Sequence, residues 1–311
     1  MKRVFTMGLS ALLATSALAP VLAQDARDWT QDYQIIRFGI LSGENEQDRI
    51  MRYTPLEQYL ERELGVEVEI FSANNYDGVV QALAANQIEF AFLGSSAYAA
   101  AYTETGGGVR PLFVAQSADG STGYYSIIVT RCDSGLDSLA DLEGRVLAFA
   151  DPDSTSGYAV PYYNLVEREG ITPESYFAAT PFSGSHEAGV QAVVNGTFDA
   201  AATYQDSDIN GIPQRMVRKG MIEAGSVCKI WESPEITSGP FTARANLPAG
   251  LVEDMTRVMM AFPEAEPESF AAVRGTVAED ENPTIGYMEV DHDRYQWIID
   301  MREWLRQKRR S

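Results

Sequence analysis

Cysteine and histidine are scarce in this chain of 311 residues, which contains two of each. The histidines, His186 and His292, lie far apart and have no cysteine beside them, so zinc-like ligand spacings are absent. Basic side chains are also few: 24 Lys and Arg oppose 44 Asp and Glu, and the net charge of −20 argues against a nucleic-acid partner. The G-x-S-x-G pattern of the α/β-hydrolases is missing as well, which disfavours esterase-type catalysis.

The longest apolar run opens the chain. Residues 4–22 follow the basic pair Lys2-Arg3, and the run ends in the small-residue sequence Val21-Leu22-Ala23. This pattern is typical of a secretory signal peptide, so we expect residues 1–23 to be removed and the mature chain not to span a membrane. No cysteine stands at the cleavage point, which counts against a lipid anchor.

The two cysteines flank strand-like runs at residues 124–130 and 227–231. In an oxidising compartment, a pair of this kind forms a structural disulfide, so we expect Cys132 and Cys228 to join neighbouring strands. Neither cysteine has a histidine nearby, and we therefore expect no metal ion and no catalytic thiol. The second histidine, His292, lies in an acidic segment and is expected to be solvated.

Strand and helix patterns alternate twice along the chain. Strands are predicted, with helices between them, at residues 35–41, 66–71, 88–93 and 146–150. We expect the first helix to begin at a Thr54 cap, with Pro55 in its first turn. Short loops between such segments predict an α/β protein with parallel sheets covered by helices. Two such halves suggest two lobes that close on a ligand in the cleft between them.

Three consecutive hydroxyl residues follow the strand at 146–150. Ser154, Thr155 and Ser156 come after Asp151-Pro152 and open a predicted helix. The first backbone N–H groups of a helix are unpaired and its dipole is positive there, so amides and hydroxyls can converge on one tetrahedral oxyanion. Plain N-capping is the alternative. Ser95 and Ser96 open a helix after the third strand, and we expect them to be oxyanion donors or simple caps.

Five motifs occur in order between residues 36 and 261: Arg37-Phe38-Gly39-Ile40, Tyr53-Thr54-Pro55-Leu56, Asn75-Tyr76-Asp77-Gly78-Val79-Val80, Asp151-Pro152-Asp153-Ser154-Thr155-Ser156-Gly157-Tyr158-Ala159-Val160-Pro161 and Ser183-Gly184-Ser185-His186-Glu187. With these motifs, the chain resembles the PhnD-like family, the substrate-binding proteins of phosphonate, phosphite and phosphate ABC transporters. The resemblance implies a type II periplasmic-binding-protein fold, with a hinge of two crossing strands. One lobe would comprise residues 24–118 and 242–311, and the other residues 119–241.

The resemblance also implies a set of ligand contacts. Ser154, Thr155 and Ser156 match the family's ligands to the phosphonate oxygens, and His186 matches a histidine that reaches the same oxyanion. Tyr76 matches an aromatic residue that closes over the ligand. Asp206 falls where binders of aminoethylphosphonate carry a carboxylate for the ligand amine.

Two positions depart from the family pattern. Gly239 stands where a second carboxylate for the amine is expected, and Leu93 stands where a second aromatic ring is expected. Tyr98 or Tyr204 could supply that ring. These departures weaken the case for a ligand with an amine, although Asp206 alone could still pair with one.

The sequence therefore predicts a periplasmic binding protein, without enzymatic activity or cofactor, that captures a phosphonate, phosphite or phosphate. We expect a monomer that delivers its ligand to an ABC permease. One alternative keeps the fold and changes the ligand to another small anion or an amine-bearing molecule. The other is a secreted hydrolase with Ser154 or Ser156 as nucleophile and His186 as base.

Overall fold

Two six-stranded sheets organise the computed structural model, which describes residues 28–308. The predicted signal peptide, residues 1–23, lies outside the described residues. In spatial order, the first sheet consists of Thr284–Glu289 (β12), Val109–Ser117 (β4), Phe241–Arg244 (β11), Phe90–Phe92 (β3), Ile35–Ile40 (β1) and Glu67–Ser72 (β2). Strand β1 pairs in parallel with β2 and with β3, as the alternation of strands and helices predicts.

Helices cover both faces of the first sheet. One face packs against Glu46–Leu64 (α1), Ala249–Ala265 (α8) and Pro267–Arg274 (α9), and the other against Tyr76–Ala84 (α2) and Ser95–Glu104 (α3). We call this sheet with these helices the first lobe. Because both faces are buried, β1 is almost continuously apolar.

Helix α1 begins earlier than expected. The prediction of a start at Thr54 is wrong: the helix begins at Glu46, where the Asn45 side chain accepts a hydrogen bond from the Asp48 backbone N–H, and Pro55 lies inside it. Proline in a helix interior costs about 3 kcal/mol. The buried positions of α1 nevertheless continue at helical spacing on both sides of Pro55, so packing against the sheet outweighs this cost.

The second lobe is built around the second sheet. Its strands are Ile236–Thr237 (β10), Gly123–Arg131 (β5), Ala200–Ser207 (β7) and Leu147–Ala148 (β6) in spatial order, with Asn210–Gly211 (β8) on β7 and Val227–Glu232 (β9) on β5. Its helices are Val160–Glu167 (α4), Pro173–Tyr176 (α5), His186–Val194 (α6) and Ile212–Arg218 (α7). The strand predicted at 146–150 is confirmed only as the short β6, flanked by isolated bridges.

A disulfide ties two strands of the second lobe. Cys132 follows β5 directly, Cys228 lies in the adjacent antiparallel β9, and the two sulfur atoms are bonded. The bond therefore closes a long loop that includes β6, β7 and the helices between them.

The chain crosses between the lobes at residues 118–122 and again at 238–240. The two crossing segments are paired, because the Ser238 backbone N–H donates to the Thr122 carbonyl at 3.0 Å. The C-terminal helix, Gln296–Lys308 (α10), packs against both lobes. Its side chains Ile298, Met301 and Leu305 join an apolar cluster of the second lobe, because they form one stripe at helical spacing, while the helix also contacts α3.

Candidate ligand-binding site

A cavity of about 220 Å³ lies between the two lobes, where the loops after the strands meet. Most of the residues predicted to contact a ligand line this cavity: Tyr76, Ser154, Thr155, Ser156, His186 and Asp206. Ser95 and Ser96 do not. Side chains separated by up to 130 positions in the sequence therefore line one cavity.

The hydroxyl cradle, Ser154 to Ser156, opens a turn of π-helix at Thr155–Ala159 that runs directly into α4. Ser154 caps this turn: its Oγ accepts from the Gly157 backbone N–H at 3.0 Å, and its carbonyl accepts from the Ala159 N–H at 3.0 Å. All three hydroxyl residues are at most 3% exposed. Single π turns are frequent at functional sites, and the three hydroxyl residues at the start of this one line the cavity.

Gly157 allows the cradle to close tightly. A Cβ atom at this position would lie 2.4 Å from the Ala150 Cβ, 2.8 Å from the Ser154 Oγ and 2.9 Å from the His186 Cε1. Any side chain here would push the cradle and the histidine apart. Glycine is therefore required at position 157 because the neighbouring side chains leave no room for a Cβ atom, and not because of its backbone dihedral angles.

His186 joins the cradle from the start of α6. Its Nε2 lies 3.2 Å from the Ser154 Oγ, and its Nδ1 lies 3.2 Å from the Thr203 Oγ1. Burial lowers the pKa of His186 to about 4, although the nearby Glu44 carboxylate opposes the shift. The ring is thus neutral at pH 7, with one nitrogen that donates a hydrogen bond and one that accepts.

Three tyrosines complete this end of the cavity. Tyr76 is 6% exposed, and its backbone N–H donates to the Asp151 carboxylate of the second lobe at 3.3 Å. Burial raises the pKa of Tyr124 to about 12, against the opposing effect of hydrogen bonds with Ser156 and Thr155. The Tyr204 ring meets the His186 ring edge to face at 5.1 Å. All three phenols are therefore neutral hydrogen-bonding groups beside the cradle.

The aromatic ring missing at Leu93 has two replacements at the cavity. Tyr204 is one, as the sequence suggested, and Tyr124 is another that the sequence analysis missed. Tyr98 is not at the cavity, because it is buried in the first lobe with its hydroxyl 2.9 Å from the His292 Nδ1. His292 also stacks on Tyr102 at 3.9 Å and is half-buried, so it is only partly solvated.

Ser95 and Ser96 are fully buried, and other parts of the protein occupy their hydroxyls. The Ser95 Oγ donates to the Thr237 carbonyl at 2.5 Å, and the Ser96 Oγ accepts from Arg302 at 2.7 Å. The Ser96 backbone N–H donates to the Thr155 Oγ1 at 2.8 Å. These serines therefore hold the cradle and α10 against α3, and do not face the cavity.

Asp206 lines the cavity with its carboxylate already paired. The Arg215 Nη2 lies 3.0 Å from the Asp206 Oδ2, and the same guanidinium donates to the Tyr204 hydroxyl at 2.8 Å. A paired carboxylate offers less attraction to a ligand amine than the free one that the sequence suggested.

Charged residues that the sequence analysis missed form the other end of the cavity. The Glu44 side chain is 8% exposed and lies 2.9 Å from Arg52, 3.5 Å from Arg215 and 3.3 Å from Lys219. Desolvation by itself would raise the pKa of Glu44, but the three cations outweigh it and lower the value to about 2. Arg274, at the end of α9, also lines this end.

Contacts between the lobes surround the cavity. The His186 backbone N–H donates to the Gly43 carbonyl at 3.1 Å, and the Asn45 N–H donates to the Glu187 carboxylate at 2.7 Å. Lys219 links Glu187, at 2.8 Å, to Glu44 of the first lobe. The described structure is therefore a closed arrangement of the two lobes.

Metal-ligating side chains do not cluster in this part of the chain: residues 28–308 hold no group of three or more His, Cys, Asp or Glu arranged to bind a metal ion. Over the same residues, no helix has both the length and the apolar composition needed to cross a membrane.

Comparison with known proteins decides the family. The family model described as "ABC transporter, phosphonate, periplasmic substrate-binding protein" matches residues 38–294. The chain belongs to this family. The family's members are substrate-binding components of transporters and not enzymes, which confirms the predicted class of protein. Their fold is the type II periplasmic-binding-protein fold, which confirms the predicted fold.

Individual members of the phosphonate-binding family show how far the similarity extends. The phosphate-import protein PhnD of Mycolicibacterium smegmatis is 30% identical over 71% of this chain and 70% of its own length. The phosphonates-binding periplasmic protein of Escherichia coli is 34% identical over 68% of this chain and 61% of its own length. A binding protein of an ABC phosphonate transporter from Pseudomonas aeruginosa superposes with a TM-score of 0.75 at 25% identity, covering 86% of this chain and 85% of that one.

The pair formed by Ser154 and His186 resembles half of a hydrolytic triad but lacks the rest. The second ring nitrogen of His186 faces the Thr203 hydroxyl and not a carboxylate. A pKa of about 4 also makes His186 a poor base at neutral pH. These features agree with a binding protein and argue against the hydrolase alternative.

Proposed function

We propose that this member of the family captures a phosphonate, phosphite or phosphate in the cavity between its lobes. The observation that carries the proposal is the cradle at Ser154–Ser156, where hydroxyls, helix N-terminal amides and the neutral His186 are enclosed together. Hydrogen bonds from neutral donors to an ionised oxyanion are short and strong, and exclusion of water strengthens them further. Tyr76, Tyr124 and Tyr204 close over the same group.

Closure of the lobes would then be coupled to binding. Ligand contacts from Tyr76 of the first lobe and from the cradle of the second lobe can form together only when the lobes are closed. The ion pairs of Lys219 and the backbone hydrogen bonds of Gly43 and Asn45 connect the two lobes and support the closed state.

The proposal also covers the secretion of the protein, its location and its transport partner. We propose that the chain is secreted through a signal peptide cleaved after Ala23, works in the periplasm as a monomer and delivers its ligand to an ABC permease. We place the lobe boundaries near residues 118 and 241, with α10 packed across both lobes.

Isothermal titration calorimetry tests the proposal with methylphosphonate, phosphite, phosphate, 2-aminoethylphosphonate and methanesulfonate. At least one phosphorus oxyanion should bind with a Kd below about 1 μM, corresponding to about −8 kcal/mol. Methanesulfonate serves as the control for anions without phosphorus. Absence of binding by every phosphorus compound, or tighter binding of the sulfonate, would overturn the assignment.

A further inference from the structure

The cavity has two chemically different ends, separated by Tyr204. On one side, the Tyr204 ring meets His186 of the neutral cradle; on the other, its hydroxyl accepts from the Arg215 guanidinium. The charged side chains that line the cavity are Arg49, Arg52, Arg215, Arg274, Glu44 and Asp206. Four arginines against two carboxylates leave a formal charge of +2 on the lining, so the cavity is cationic although the protein is acidic.

Arg274 lines the cavity near Asp206 without forming a direct ion pair with it. Arg52 and Arg215 pair with Glu44, and Arg215 also pairs with Asp206. The Arg274 guanidinium has no hydrogen bond or ion pair within residues 28–308, and its Nε is buried without a partner. The residue is only partly buried, so the unfavourable term lies at its Nε donor, which an acceptor oxygen of an anionic ligand would satisfy.

An amine would find little attraction at this end. The Asp206 carboxylate is already held by Arg215. A second carboxylate has no room at Gly239, because a Cβ atom there would lie 1.9 Å from the Leu93 carbonyl oxygen and 2.5 Å from the Gly94 Cα. The end that receives the rest of the ligand thus offers guanidinium donors and no free carboxylate.

We propose that the ligand carries a carboxylate in addition to its phosphorus group, and that Arg274 binds this carboxylate while the cradle binds the phosphorus oxygens. The proposal rests on the proposed function and names its ligand class: short carboxyalkylphosphonates. The planar guanidinium matches a carboxylate in shape and can donate two parallel hydrogen bonds.

Three phosphonates differ mainly in the group that would reach Arg274: methylphosphonate, 2-aminoethylphosphonate and 2-carboxyethylphosphonate. By calorimetry at neutral pH, the carboxyethyl compound should bind at least about tenfold more tightly than methylphosphonate, because a hydrogen bond to a charged group contributes at least that factor. The aminoethyl compound should bind more weakly than the carboxyethyl compound. Equal or weaker binding of the carboxyethyl compound would overturn this inference.

Variants identify the responsible side chain. In Arg274→Gln, the ratio of the carboxyethylphosphonate affinity to the methylphosphonate affinity should fall at least about fivefold, and Arg274→Lys should retain more of it. Arg257→Gln, at an exposed arginine of α8, is the matched control and should keep the ratio. An unchanged affinity ratio in Arg274→Gln would overturn the inference. Binding of methylphosphonate by that variant would still support the proposed function. Failure of every phosphorus compound to bind the native protein would overturn both.

Discussion

Protonation of His186 offers a sensitive test of the candidate site, because its ring is buried against Ser154 and Thr203. Its pKa is lowered from 6.5 to about 4 by burial, with Glu44 opposing. The unfolded chain therefore binds a proton more tightly than the folded protein between these two values. Stability should fall as the pH falls through this window and should be unaffected by His186 above it.

The size of the effect follows from the shift. A difference of about 2.5 pKa units corresponds to roughly 3 kcal/mol of unfolding free energy, most of it lost by about pH 4.5. Glu44, whose pKa is lowered to about 2, loses its contribution only at lower pH, from about 4.5 downward. In urea titrations, the unfolding free energy of His186→Gln should therefore fall by about 2 kcal/mol less than that of the native protein between neutral pH and about pH 4.5.

Nuclear magnetic resonance measures the same quantity directly, since the chain has only two histidines. In protein without an affinity tag, the ring signals of His186 should titrate near 4, and their loss in His186→Gln assigns them. Saturation with a phosphorus oxyanion should raise the pKa of His186, because a nearby anion favours the charged ring. A value near 6.5 in the ligand-free protein, or no change on ligand binding, would refute the reasoning.

Three further predictions concern the cradle, the closed state and the disulfide. Ser156→Ala should weaken binding of the preferred phosphorus oxyanion about ten- to a hundredfold in calorimetry, and Ser175→Ala on the exposed α5 should not; equal affinities would count against the cradle. Lys219→Gln should weaken binding about fivefold by loosening the closed state, whereas Lys229→Gln, which breaks a pair within the second lobe, should leave the affinity unchanged. Reduction of the disulfide, whose cysteines are 96 positions apart, should lower the unfolding free energy by about 2–5 kcal/mol, measured by denaturant titration with and without dithiothreitol; no loss would contradict its structural role.

Local patterns in the sequence predict the parts of the site that local structure builds. Ser154 is a strand-to-helix cap, and its three-hydroxyl run needs only the preceding strand and the following helix to form a cradle. The family resemblance located Tyr76 and His186, whose preceding residues Asn75 and Ser185 cap α2 and α6. The carboxyl ends of parallel strands lie at one edge of a sheet, so the segments that follow these strands lie close together in the folded protein.

The charged end of the cavity could not be predicted in this way. Glu44 and Arg215 are 171 positions apart, and neither lies in a pattern that distinguishes a buried ion from a solvated one. Their pairing depends on closure of the lobes. Tyr124 was missed for a similar reason, because alternation along β5 does not say which tyrosine faces the other lobe.

Packing also overrode local signals in two elements. Pro55 suggested a helix start, but the buried stripe of α1 continues through it from Arg49 to Leu64. Helix α10 follows the last strand of the first lobe, yet its apolar stripe covers the core of the second. In both elements, the free energy gained by burying apolar side chains exceeds the cost of overriding the local residue preferences.

A crystal structure with the tightest-binding phosphorus oxyanion tests the central claim most directly. The account predicts phosphorus oxygens within about 2.5–3.2 Å of the hydroxyls and amides of Ser154 to Ser156 and of the His186 ring. A phosphorus group bound at the arginine end of the cavity, or outside the cavity altogether, would contradict it.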